Sequence, residues 1–109
     1  MSLYGDYIRE REGFEIVESE HGFATYLISG EECYIRDIYV TPEGRKSGLA
    51  SQMADEISVI AKEKGCTYLL GTVSPVAKGA TTSMKVLLAY GFEVFKSDSN
   101  MIYLVKGIK

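Results

Sequence analysis

The sequence has little of what several function classes require. Its single histidine, His21, and its two cysteines, Cys33 and Cys66, make no cluster with metal-ligand spacing. The cysteines form neither a C-x-x-C pair nor a disulfide-dense framework, and read as two buried thiols in a reducing compartment. No apolar run approaches the roughly 20 residues of a membrane span, and no signal peptide is visible, so a cytoplasmic location is the expectation. Basic residues are not in excess. The 12 lysines and arginines against 15 aspartates and glutamates give a net charge of −3, with a pI near 5.2. This argues against non-specific nucleic-acid binding, which needs a basic face. Neither G-x-x-x-x-G-K-[ST] nor G-x-G-x-x-G occurs, so the P-loop and the dinucleotide fingerprint are absent. Repeats, linkers and low-complexity segments are absent too.

What is present is an ordinary globular composition. The 109 residues, 46% hydrophobic and 25% charged, are the length of one domain, residues 1–109, with its core expected over 14–106. Residues 4–12 give no firm period; Tyr7-Ile8 reads as the start of a short strand, and nothing longer is expected ahead of Phe14. Residues 14–18 alternate apolar and charged side chains as a half-exposed strand does. A turn at 19–22, a returning strand at 23–29 and a β-branched, aromatic strand at 34–40 complete an antiparallel meander.

A helical period follows. Leu49, Met53, Ile57, Ile60 and Ala61, with Ala50 and Ala54, share one face, while Asp55, Glu56, Lys62 and Glu63 take the other. Gly65 suits the position after the helix end. Residues 67–73 read as a buried strand, parallel to the central one through a right-handed crossover. Thr81, Thr82 and Ser83 offer N-caps for a second helix with Met84, Leu87 and Leu88 inward. A hairpin of 92–95 and 101–105 closes the chain. The fold class is α/β with a mixed sheet: meander, then β-α-β-α, then hairpin.

The stretch that organises this order is V-T-P-E-G-R-K-S-G-L-A at 40–50. Pro42 ends the central strand, and Arg45-Lys46-Ser47-Gly48 turns the chain into the helix. Strand, basic glycine-containing loop and helix start aim unpaired backbone N–H groups at one spot, which should accept an anion. Charge-assisted hydrogen bonds are each worth about 1.5–3 kcal/mol, against about 0.3–1 kcal/mol from the helix terminus itself. The aimed N–H groups therefore dominate. The loop reads as a phosphate or pyrophosphate cradle; the bland alternative is a strand-loop-helix connection that binds nothing.

Arg45 to Ala50 also fits [R/Q]-x-x-G-x-[G/A]. With Ile38-Tyr39-Val40-Thr41-Pro42 before it and Gly91-Phe92-Glu93 behind, the chain resembles the GCN5-related N-acetyltransferases over about residues 33–106. The resemblance implies that family's acyl-CoA N-acyltransferase fold with its front end shortened. It implies acetyl transfer from acetyl-CoA to an amine by direct attack on the thioester. The backbone of Ile38, Tyr39 and Val40 would hold the pantetheine and thioester. The Val40 N–H would polarise the thioester carbonyl. Arg45, Lys46, Ser47, Gly48, Leu49 and Ala50 would hold the pyrophosphate. The family's tyrosine on the last helix falls at Leu87, and its asparagine at Ala80. Ser74 or one of Thr81, Thr82 and Ser83 is left to hydrogen-bond the coenzyme.

The chemistry needs a base, because an alkylamine of pKa about 10.4 is almost wholly protonated at neutral pH. Asp37, a carboxylate inside an apolar strand beside the thioester site, is the candidate; a structural ion pair with Arg36 is the alternative. Glu32 and His21 are weaker candidates, read as a solvated turn residue and an exposed bystander. The partner is a small-molecule or protein amine, with no nucleic acid and no membrane. Homodimerisation through the closing hairpin or the shortened front end is a further expectation. Two other readings stand beside the transferase: a coenzyme A-binding module without efficient catalysis, and an interaction protein whose loop is empty.

Overall fold

The computed structural model describes residues 2–108. In chain order it has α1 (Leu3–Glu12), β1 (Glu15–Ser19), β2 (Gly22–Ser29), β3 (Glu32–Val40), a 3-10 turn (Pro42–Gly44), α2 (Leu49–Glu63), β4 (Tyr68–Val73), α3 (Ala80–Tyr90), β5 (Glu93–Asp98) and β6 (Met101–Gly107). The six strands form one sheet in the order β1-β2-β3-β4-β6-β5. Only β3 and β4 run parallel, joined by the α2 crossover. No helix among the described residues is long and apolar enough to cross a membrane.

The core lies between one sheet face and α2 with α3. Met53, Ala54, Ile57 and Ala61 of α2 are buried against Ala24, Tyr26, Cys33 and Ile35 of the sheet, with Leu69 and Leu104 fully buried beside them. Both cysteines are free and buried, as expected. α3 contributes less. Met84 and Leu87 are half-buried against this core, but Leu88, expected inward, is 47% exposed. Nor do the hydroxyls of Thr81, Thr82 and Ser83 cap that helix. Its N-cap is Gly79 in the left-handed conformation, with no side-chain cap, and the three hydroxyl residues lie inside the first turn.

The largest departure from expectation is the front end. Residues 3–12 form a ten-residue helix, α1, in place of a short strand. Its signal is faint because only Gly5 and Ile8, one turn apart, are buried on the opposite face of the sheet from α2. The Ser2 side chain accepts from the Gly5 N–H at 2.9 Å, and Gly13 closes the helix at φ 73°. Asp6 in the first turn and Arg9 and Arg11 in the last suit the helix dipole. Gly5 is required by contact: a Cβ there would lie 2.9 Å from Ile16 Cγ2.

One irregularity sets which way β3 points. Thr25 pairs with Asp37 and Tyr26 with Ile35, so Arg36 is an extra residue with no partner on β2. Such a bulge reverses the alternation of side chains beyond it. Cys33 and Ile35 face α2 before the bulge, and Ile38 and Val40 still pack on that core after it. Arg36 and Asp37 consequently share the α1 face, where their side chains meet.

Candidate functional site

The β3–β4 ladder runs only from Glu32↔Tyr68 to Ile35↔Gly71. Beyond it β3 continues to Val40 with its edge towards β4 free, and Thr72 and Val73 of β4 pair with β6 alone. The parallel strands therefore open into a cleft whose vertex is bridged by the Tyr34 and Thr72 hydroxyls, 3.0 Å apart. The Thr41 N–H donates to the His21 carbonyl at 2.7 Å. Alternation along the strand then turns the N–H groups of Ile38 and Val40 to the free edge. On the α2 and α3 side the opening is lined by Ile38, Ala50, Ala54, Leu87 and Tyr90.

The end of β3 leads into the loop expected to hold an anion. Arg45 folds back so that its Nε donates to the Val40 carbonyl at 3.1 Å. The Ser47 hydroxyl donates to the Gly44 carbonyl, bracing the turn. Lys46 at φ 67° and Gly48 at φ 82° are both left-handed, and Gly48 serves as the N-cap of α2. The first loop-to-helix bond is from Gln52 N–H to the Gly48 carbonyl. The six backbone N–H groups of residues 46–51 have no partner among the described residues. A Cβ built on Gly48 meets nothing within 4 Å. Unpaired donors around open space, at the positive end of a 15-residue helix, suit a phosphate or pyrophosphate. Every expected cradle residue, from Arg45 to Ala50, lies on this loop or in the first turn. Ser74 lies past the end of β4 and Ser83 in the first turn of α3.

Asp37 is in the ion pair with Arg36 that the sequence left as its alternative role, and it keeps a free oxygen. Its Oδ2 accepts from Thr25 Oγ1 at 2.9 Å and Arg36 Nε at 3.0 Å. Its Oδ1 has no partner among the described residues, and the side chain is 44% exposed. Arg36 is anchored on both sides: it also pairs with Glu12 at the end of α1 and lies over the Phe14 ring at 4.0 Å. Burial pulls the guanidinium pKa down, the hydrogen bonds it donates to Glu12 and Asp37 push it up, and the net shift is upward.

His21 sits in the β1–β2 turn, its ring 3.5 Å from the Thr41 hydroxyl and its Cβ pressed against Gly44. It buttresses the turn that leads into α2. Glu32 accepts from the Tyr68 hydroxyl at the closed end of the β3–β4 ladder, away from the opening. Tyr90 lines the cleft with its ring, but its hydroxyl donates to Asp55 of α2. Burial first, and then this hydrogen bond, raise the phenol pKa. Leu87 lies over Gly71, at the last rung of the β3–β4 ladder.

Sequence reasoning missed the bulge at Arg36 and the Arg36–Glu12 tie. The only available signal was the pair of adjacent charges, Arg36-Asp37, inside an apolar strand.

Comparison with known proteins converges on one family. The acetyltransferase (GNAT) family model matches residues 6–92. The thialysine N-epsilon-acetyltransferase of Bos taurus is 34% identical over 71 residues, 61% of this chain and 42% of that protein. The chain thus spans less than half the length of the curated relatives it matches. Among solved structures, the paia N-acetyltransferase of Thermoplasma acidophilum in complex with coenzyme A superposes with a TM-score of 0.77 at 18% identity, covering 96% of this chain and 69% of that one. A GNAT family acetyltransferase from Elizabethkingia anophelis with acetyl-CoA bound gives 0.73 at 16% identity, covering 94% and 82%. At these identities the superpositions show a common fold.

Proposed function

Since the chain belongs to the GNAT acetyltransferase family and has its fold, we propose that it transfers the acetyl group of acetyl-CoA to a primary amine. The observation that carries this reading is the run of unpaired N–H groups over residues 46–51, set at the foot of the free edge of β3. Those N–H groups, with the Arg45 and Lys46 cations, suit the pyrophosphate. The free N–H groups of Ile38 and Val40 suit the pantetheine and the thioester carbonyl. Ser74 and Ser83 are the hydroxyls left to reach the coenzyme from the other side of the cleft.

The coenzyme supplies a thioester whose thiol leaves readily. The ammonium gives up one proton to a base so that the neutral nitrogen can bond to the acetyl carbon; the carbon–sulfur bond breaks, and the nitrogen's second proton goes to the departing thiolate. Asp37 is the group we assign to the first of these protons. Its Oδ1 is free while Thr25 and Arg36 fix its Oδ2. A base so positioned contributes about 10²- to 10⁴-fold. The curated relative named above acts on the side-chain amine of thialysine, and we extend a primary aliphatic amine as acceptor to this chain.

The position of Leu87 favours a second reading, a coenzyme A-binding module with little turnover. The family's tyrosine is replaced there, and the Tyr90 hydroxyl is committed to Asp55. Isothermal titration with acetyl-CoA and with desulfo-CoA, followed by thiol release over an amine panel, separates the two. Binding with release supports the transferase, binding without release supports the module, and no binding removes both. We also propose a homodimer through the closing hairpin at β5, one of the two edge strands, where Val94 and Phe95 are 54% and 65% exposed. Sedimentation showing a monomer at working concentration removes that proposal.

A further inference from the structure

The α1 side of the sheet is covered only in part. Leu69, Gly71 and Val73 of β4 turn towards α2, so Tyr68 and Leu70 face the α1 side, as do Tyr103 and Val105 beside them on β6. α1 packs over β1, and its end reaches β3 through the Glu12–Arg36 pair. Beyond it, over β4, β6 and β5, lies an open groove of about 650 Å³. Those four side chains floor the groove, with Phe95 at its margin. Phe95 is an extra residue on β5, because Val94 pairs with Leu104 and Lys96 with Tyr103, and it is 65% exposed. The groove carries opposite charges at opposite corners. Glu32 accepts from the Tyr68 hydroxyl at 3.1 Å, and Lys96 lies over the Tyr103 ring at 5.0 Å. Neither has an ion-pair partner among the described residues. Register separates them by three strand spacings, about 14 Å, and by the four residues from Gly107 to Tyr103, also about 14 Å.

We infer that a second copy of this chain fills the groove, face to face, with each Glu32 against the partner's Lys96. The inference rests on the homodimer proposed above, names its contact face and is independent of acetyl transfer. An apolar sheet face is stable under a second layer, and this patch is complementary to itself. A two-fold axis that brings Glu32 onto the partner's Lys96 brings Lys96 onto the partner's Glu32 as well. Because the two offsets are equal, the axis lies in the plane of contact at about 45° to the strands, and the sheets cross near 90°, the orthogonal mode of sheet packing. The same axis carries Glu93, in register with Val105, towards the partner's Gly107, which has no side chain to oppose it. It also sets Phe95 near the partner's Tyr68. The bulge at Phe95 twists the β5 edge, which disfavours joining two copies strand to strand.

The test is sedimentation of charge-swapped copies. Glu32→Lys alone sets lysine against the partner's Lys96, and Lys96→Glu alone sets glutamate against the partner's Glu32. Each should raise the dimer dissociation constant about tenfold or more, because like charges then meet across the contact. An equal mixture of the two variants should dimerise again, since in the mixed pair every contact joins a lysine to a glutamate. The double variant should dimerise as the wild type does. Circular dichroism should show both single variants folded. If Glu32→Lys does not fold, Glu32→Gln, which retains an acceptor for the Tyr68 hydroxyl, should still raise the dissociation constant about threefold. A wild type that stays monomeric removes the homodimer and this face with it. A mixture of the two variants that stays monomeric overturns the contact. A wild-type dimer that Glu32→Lys leaves unchanged overturns the face but leaves pairing along the β5 edge, three strands from Glu32.

Discussion

The Tyr90 hydroxyl of α3 donates to Asp55 Oδ1 of α2 at 2.6 Å, tying together the two helices that line the opening between β3 and β4. The ring beneath it packs on Phe92 and under Lys106, so Tyr90→Phe removes the tie and leaves the packing. Because Asp55 is exposed, the bond should be worth about 1 kcal/mol. The melting temperature should fall by about 4–8 °C, the shift that 1 kcal/mol gives in a domain near this size. A thermal melt indistinguishable from wild type would show that the helices are held by apolar contact alone.

Gly48→Leu separates ligand space from folding. The position is left-handed, so a side chain costs roughly 1–2 kcal/mol of backbone strain, but the added Cβ meets no protein atom. The variant should fold, melt somewhat lower and lose at least tenfold in acetyl-CoA affinity by calorimetry. Undiminished affinity would move the pyrophosphate away from this loop.

Asp37→Asn keeps the Thr25 hydrogen bond and removes the proton acceptor. The thiol-release rate should drop about a hundredfold, with acetyl-CoA binding unchanged. A rate within threefold of wild type would return Asp37 to the purely structural role that its pairing with Arg36 already gives it.

Alkaline stability should be governed in part by Cys33. Burial first, and then the neighbouring Cys66 and Glu32, push its thiol from 9.0 up to about 12. Between those values the unfolded chain has released a proton that the folded chain still holds. Stability is therefore fully present below about pH 9 and falls as pH rises towards 12. The raised Tyr90 phenol adds a loss in the same direction above its ordinary value of 10.0. Denaturant melts across this range should show the decline start later in Cys33→Ala; an identical onset would assign it to other groups.

Much of this architecture was legible in the residues. The period from Leu49 to Ala61, the apolar brevity of β4 and the glycine after α2 each point to one local structure, and each is found. The turn from β3 into α2, with its unpaired N–H groups, was legible as well, because proline, basic loop and helix start are local signals. What escaped depends on partners distant in the chain. α1 buries only two residues, so its apolar period is almost silent until Ile16 is known to lie beneath Gly5. The bulge at Arg36 is defined by β2, since an extra residue exists only relative to a paired strand. The inward assignment of Leu88 failed because α3 lies at the margin of the core, where period alone does not set depth.

The unpaired residue at Arg36 has one more consequence, for how this strand can change over time. Counting by twos from Cys33 arrives at Asp37 and Tyr39, yet the residues found on the core side are Ile38 and Val40. The bulge acts as a parity switch. Deleting this one residue would restore the count and exchange the two faces downstream, sending a carboxylate and a phenol into the apolar interior and two aliphatic chains to water. Substitutions at this place are graded in their effect, whereas a gap of one is not. Lineages of this chain should therefore vary in sequence here but not in length.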